Sequence, residues 1–141
     1  MIREGKKSKE KVDVFSYELL AYRELVNNKA MPFSVMLDLI KRNPQYEWIS
    51  LQAMLTQDEK DTLESLGVTN YFDYITDWND TAGMMSNVDA FISIDTGLCH
   101  LAGSMGKPCY LLLDKHNTCW RWLLDRDDTY WYKSVKIIRQ T

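Results

Sequence analysis

The spacing of apolar side chains changes repeatedly along this chain, and each change of period marks an element. Phe33, Met36, Leu37, Leu39 and Ile40 form a broad apolar face after Met31-Pro32, a proline suited to a helix start, and Asn43-Pro44 ends the run. Tyr46-Glu47-Trp48-Ile49-Ser50-Leu51 is rich in aromatic and β-branched residues and reads as a strand. Thr56-Gln57-Asp58-Glu59 sets an N-cap before two acids and opens a helix that closes at Leu66-Gly67. The run Tyr71 to Ile75 predicts a short strand, and Asp80-Thr81 predicts the cap of a helix carrying Met84 and Met85. Ala90-Phe91-Ile92-Ser93-Ile94 is apolar enough for a strand buried on both faces. Thr96 opens another helix, closed by Met105-Gly106-Lys107-Pro108; Cys109 to Leu113 and Val135 to Ile138 are further strands.

Strands and helices that alternate across short connections imply right-handed crossovers. The expected fold class is therefore α/β, a Rossmann-like parallel sheet flanked by helices. Ligands of such sheets bind beyond the carboxyl ends of the strands, where loops enter helix N-termini. The amino-terminal part reads differently. Residues 1 to about 13 form a charged lead-in (Lys6, Lys7, Lys9, Glu10, Lys11), and Phe15 to Leu25 reads as a short amphipathic helix through Leu20, Tyr22 and Leu25. Residues 1–27 are accordingly set apart from a Rossmann-like domain over 28–141.

Composition narrows the class. A chain of 141 residues has room for one domain, and 45% apolar with 26% charged residues argues against disorder and low complexity. Seventeen Lys and Arg against twenty Asp and Glu give a net charge of −3, so no general basic field advertises nucleic acid. No apolar stretch reaches the length of a membrane span, and the basic start lacks the apolar core of a signal peptide. Three cysteines do not complete a disulfide framework; free thiols and a cytoplasmic location are expected.

The segment Ile92 to Pro108 carries the clearest chemistry. A buried strand ends at Asp95, and a helix begins within a residue or two, so Thr96 and Gly97 lie where backbone N–H groups and the positive helix end attract anions. Gly97 has no side chain to block an approaching phosphate. His100 follows Thr96 by one helical turn, and its side chain leans toward the same end. Asp95 would repel phosphate and is better aimed at sugar hydroxyls or used as a cap. The same junction also arises from capping and packing alone.

The run DTAGMMSNVDAFISIDTGLCHLAGSMGKP, from Asp80 to Pro108, closely resembles the C-terminal half of the heptosyltransferase-like glycosyltransferases (family nine), especially the version at the end of bacterial tetratricopeptide-repeat proteins. Ser50-Leu51-Gln52, Trp120 to Arg126, Trp131-Tyr132 and Arg139-Gln140 add to the likeness, which runs from about Asn28 to Gln140 and is densest from Asp80 to Leu113. The resemblance implies one half of a GT-B fold, the half that holds a nucleotide-diphosphate sugar. It implies that Thr96, Gly97 and Leu98 offer amides to the diphosphate with support from His100. Asp95 would contact the sugar or cap the loop, Asp80 and Thr81 would lie near the nucleoside, and Gln52 and Arg121 would belong to the same donor site. Prepositioned N–H donors suit a leaving diphosphate without a metal or other cofactor.

Two departures bear on activity. Relatives usually carry Lys after the Ser-Leu-Gln strand end, whereas here Ala53 stands there. That change removes a charge-assisted contact of roughly 1.5–3 kcal/mol unless Lys107, Lys115 or Arg121 substitutes. The acceptor-binding domain that supplies the general base in the family has no counterpart in this sequence. The expected function is thus donor binding, with sugar transfer to a hydroxyl acceptor only alongside an acceptor domain or partner chain. The alternative is a non-catalytic remnant or interaction module of the same fold.

Other patterns in the chain have simple structural readings beside the chemical ones. Asp125-Arg126-Asp127-Asp128 contains the Asp-x-Asp signature of metal-dependent glycosyltransferases, yet also reads as a solvated acidic turn. Cys99, His100, Cys109, His116 and Cys119 lack the paired Cys-x-x-Cys spacing of a zinc site. Cys99 and His100 are adjacent on a helix and so do not face each other as nucleophile and base. Trp120, Trp122, Tyr130, Trp131 and Tyr132 form an aromatic end suited to core packing, to stacking on a ligand or to covering a partner.

Overall fold

A computed structural model describes residues 11–13, 31–114 and 119–140. The described residues alternate as β1 (Lys11–Asp13), α1 (Phe33–Arg42), β2 (Glu47–Ser50), α2 (Gln57–Ser65), β3 (Thr69–Asn70), α3 (Trp78–Ser86), β4 (Phe91–Ile94), α4 (Gly97–Ser104), β5 (Cys109–Leu113) and β6 (Val135–Arg139). Single 3-10 turns occur at Phe72–Tyr74 and Trp120–Trp122.

Every strand pairing is parallel: β1 with β2 and β2 with β3, then β4 with β5 and β5 with β6. β1 also runs beside β4. The strands form two three-stranded parallel sheets, β3-β2-β1 and β4-β5-β6, which meet where β1 lies beside β4, so the order across the molecule follows that of doubly wound dinucleotide-binding sheets. Alternation along the strands feeds two cores. Ile49, Phe91, Leu111 and Ile137 pack with Met85, Cys99, Ala102 and Trp122 on one side. Trp48, Ile92 and Ile94 pack with Met36, Ile40 and Leu63 on the other. Thus α3 and α4 cover one face and α1 and α2 the opposite one.

The local chemistry explains most boundaries. Pro32 precedes α1, and Asn43 closes it: its side chain donates to Leu39 O at 2.8 Å and its N–H to Ile40 O. Thr56 and Glu59 form a reciprocal capping box at the start of α2. Gly67 then turns the chain with φ of 75°, a conformation a side chain would strain.

Three expectations are corrected. Lys11–Asp13, assigned by sequence to a charged lead-in, supply β1, because a short strand paired with β2 is held through its backbone and needs no apolar pattern of its own. The strand expected over Tyr71–Ile75 is instead β3 at Thr69–Asn70, followed by the 3-10 turn. At the end of the sheet the aromatic side chains of Phe72 and Tyr74 have no face to bury and are exposed. The helix expected to start at Asp80-Thr81 starts earlier: Asp77 is its cap, accepting from Asp80 N at 2.8 Å. The helix expected over Phe15–Leu25 lies outside the described residues.

Candidate functional site

A cavity of about 500 Å³ opens beyond the carboxyl ends of β2 and β4, the strands on either side of β1. Leu51 and Ala53, leaving β2, form one wall; Phe72, Ile75 and Thr76 form another; Asp77, which precedes α3, Trp78 and Thr81 of α3, and Leu98 of α4 complete it. The size is that of a small-molecule cleft, and the position is where this topology binds ligands. Met54, next to Ala53, is exposed and adopts the left-handed φ of 56°, a cost that sharp turns at such rims commonly carry.

The two helices that meet there treat their N-termini differently. Asp77 caps α3, while Asp80 reaches back so that its carboxylate accepts from Thr76 Oγ1 at 2.6 Å and from Thr76 N at 3.0 Å. The Thr76 hydroxyl and amide hold the Asp80 carboxyl below its ordinary range. α3 has thus satisfied its own positive end. In α4, Thr96 occupies the N-cap position but makes no capping bond. Its buried hydroxyl lies 3.3 Å from Ser93 Oγ, which donates to Ile94 O at 2.7 Å. The Thr96 side chain therefore leaves the first amides of α4 uncapped, the condition under which a helix end attracts an external anion.

Gly97 is close-packed for a reason the sequence did not show. A Cβ there would come 2.8 Å from Cη2 and 3.3 Å from Cζ2 of Trp78. The indole, 59% exposed, rests its six-membered ring against the first residue of α4.

His100 faces the protein. Its Nδ1 lies 3.0 Å from Tyr132 Oη, its Nε2 3.8 Å from Asp95 Oδ1, and its ring stacks on buried Trp122 with centroids 5.3 Å apart. His100, expected to support a diphosphate, instead approaches Asp95 and does not line the cavity. Thr81 does, and its hydroxyl donates to Asp77 O at 3.1 Å. Gln52 is buried, with Nε2 donating to Ala53 O at 2.8 Å, and lies outside the lining. Arg121 sits over the Trp120 ring, 4.8 Å from its centroid, with Nη1 donating to Cys119 Sγ.

Ala53 lines the cavity at the position where the resemblance would put a lysine, and two of the replacements named from sequence, Lys107 and Arg121, are engaged elsewhere. Lys107 donates to Ser86 O and Val88 O, closing the end of α3; Lys115 lies outside the described residues. Among the described residues lining the cavity, Asp77 alone is ionisable. In the Asp-x-Asp stretch, Asp128 Oδ1 accepts from Arg126 Nε at 2.7 Å and the Asp127 carbonyl accepts from Ile137 N. Arg126 lowers the Asp128 carboxyl. No group of three or more metal-ligating side chains gathers among the described residues. A hydrogen bond to Cys109, and then burial, push the Cys99 thiol up, which leaves it unreactive as a nucleophile.

Sequence reading missed Phe72, Ile75, Thr76, Asp77 and Trp78. The signal was there in Asp77-Trp78-Asn79-Asp80, an acid repeated three residues on, of which the first takes the cap.

No protein-family model matches the sequence, and no curated protein matches it significantly. Among solved structures, E. coli ADP-heptose LPS heptosyltransferase II matches with a TM-score of 0.61 and 15% identity over 96% of this chain. The chain spans 40% of the length of that protein. At this identity the likeness establishes the fold: an α/β, Rossmann-like arrangement of the kind found in a glycosyltransferase.

Proposed function

We propose that this chain is the nucleotide-diphosphate-sugar-binding half of a glycosyltransferase, with the cavity between the end of β2 and the start of α4 as its donor site. The observation that carries the reading is the uncapped first turn of α4, which borders that cavity through Leu98. When a glycosidic bond to a diphosphate breaks, negative charge grows on the leaving group. Fixed amides and a helix dipole stabilise that charge without a metal ion. Thr96, Gly97 and Leu98 supply the amides. His100 acts at one remove, holding Asp95 and the Tyr132 segment against α4. Asp80 and Thr81 shape the wall by holding Thr76 and Asp77 in place.

Transfer to a hydroxyl acceptor needs a general base and an acceptor site. Both are assigned to a second domain, in a longer chain or a partner chain. Among the described residues no helix is long and apolar enough to cross a membrane, and a cytoplasmic reaction is proposed. The test is thermal melting with ADP-, UDP- and GDP-sugars, with and without magnesium. Stabilisation by at least one donor in the absence of metal, lost in Thr96→Pro, is expected. No shift with any sugar nucleotide at millimolar concentration would overturn the reading.

One observation favours the rival, a non-catalytic module of the same fold. The cavity lining includes no cation among the described residues, and its one carboxylate, Asp77, disfavours a diphosphate.

A further inference from the structure

The cavity holds an aromatic surface that the donor-binding reading does not require. Trp78 is the first residue of α3, more than half exposed, and lines the cavity together with Phe72, itself 39% exposed. An indole at the start of a helix ordinarily either buries itself or swings into solvent. This one is seated: its six-membered ring rests on Gly97, where a Cβ would come within 2.8 Å of Cη2. Gly97 is at once the seat of the ring and the first residue of α4. The aromatic surface and the uncapped amides are therefore neighbours by construction.

The charge at the site sets what each part contributes. An anion held only by helix amides, with Asp77 as the ionisable residue of the described lining, gains far less than one met by Lys or Arg. The apolar walls, Leu51, Ile75 and Leu98 beside the two rings, offer burial and stacking instead. We infer that Trp78 is the specificity-determining residue of this cavity. The flat heteroaromatic base of a nucleotide stacks on its indole and anchors the ligand, and the phosphates then extend from the base toward α4. This rests on the donor-binding reading and assigns the source of affinity within it: the base, not the diphosphate, selects the ligand.

The experiment measures binding of ADP, UDP, adenosine and inorganic pyrophosphate to the protein by calorimetry, then repeats it with Trp78→Ala and Trp78→Phe. Trp120→Ala, which removes an exposed indole outside the cavity lining, is the control. Adenosine is expected to compete with ADP while pyrophosphate at equal concentration does not. Trp78→Ala is expected to weaken ADP by roughly 5- to 100-fold, the range for loss of one base–aromatic stack, and Trp78→Phe by a few-fold. Should Trp78→Ala fold poorly, saturation transfer from labelled indole protons to the base protons of ADP in the unsubstituted protein gives the same answer. ADP bound within twofold by Trp78→Ala, absent transfer to the base, or pyrophosphate competing as well as ADP overturns the inference and leaves diphosphate binding standing. Failure of the unsubstituted protein to bind any nucleotide overturns both.

Discussion

The Nδ1 of His100, in the second turn of α4, lies 3.0 Å from the hydroxyl of Tyr132, just before β6. The contact depends on a residue that touches neither atom. A Cβ on Gly103, one turn further along α4, would collide with the Tyr132 ring, so the missing side chain lets the ring lie across the helix. Trp122 stacks on the other part of the His100 ring, and Arg139 donates to the Trp122 carbonyl at 2.7 Å. Trp122 and Tyr132, which precede β6, are thereby fastened to the helix that borders the cavity.

Gly103→Ala is therefore expected to destabilise the fold by about 1–3 kcal/mol, the usual range for forcing a methyl into a packed contact. Tyr132→Phe, which keeps the ring and removes the hydroxyl, should cost about 0.5–1.5 kcal/mol. Urea denaturation measures both. A Gly103→Ala protein as stable as the parent would show that Tyr132 does not pack where it is placed.

The contact between Gly97 and Trp78 predicts a dependence between two substitutions. Gly97→Ala alone must displace the indole or shift the start of α4, at roughly 1–3 kcal/mol. In a Trp78→Ala background the three nearest neighbours of the added methyl, all indole atoms, are gone. The two effects should fail to add by at least about 0.5 kcal/mol, with the double variant more stable than the sum. Strict additivity in a denaturation cycle would remove the indole from Gly97.

How much of this was legible beforehand follows from the physics of each element. β4, β5 and α4 are read from sequence to within a residue: β4, buried on both faces, and β5, with one face partly open at Tyr110, are both continuous apolar runs, and a helix between Thr96 and Gly106 is closed at each end. β1 was not legible: its hydrogen bonds come from the backbone of β2, and Lys-Val-Asp carries no period. The Asp95-Thr96-Gly97 junction was found because strand end, cap and glycine are consecutive. Trp78 was not, because its meaning lies in Gly97, nineteen residues away on another helix. His100 was read toward the cavity from its place on α4, and only the three-dimensional structure supplies Tyr132 and Trp122, which hold it inward.

Asp80 gives a dependence on pH with a definite sign. Its carboxyl is held below the ordinary value of 3.8, first by the Thr76 hydroxyl and then by the Thr76 amide. The ionised form is favoured in the folded state. Its stabilisation is therefore complete above the unfolded value and is lost as pH falls through the lower folded one. Thr76→Val removes the hydroxyl and keeps the amide. The melting temperature of the parent should exceed that of Thr76→Val at pH 7, and the difference should shrink as pH drops below about 4. A difference unchanged down to pH 2.5 would mean that the bond to the carboxylate is not its source.

Restoring a cation tests why the cavity looks poorly suited to a diphosphate. Ala53 lines it, and the described lining includes Asp77 but no Lys or Arg. Ala53→Lys places an ammonium at the end of β2, across from the uncapped turn of α4. A charge-assisted hydrogen bond contributes about 1.5–3 kcal/mol, so nucleoside diphosphate affinity should rise by at least about tenfold and become sensitive to salt. Ala53→Met, similar in reach but uncharged, separates charge from packing and should give no such gain. If Lys and Met behave alike, the phosphates do not extend toward this wall, and the missing lysine is no explanation for weak binding. If Lys alone strengthens binding, a single substitution at the end of β2 accounts for the difference between a strong donor site and this one.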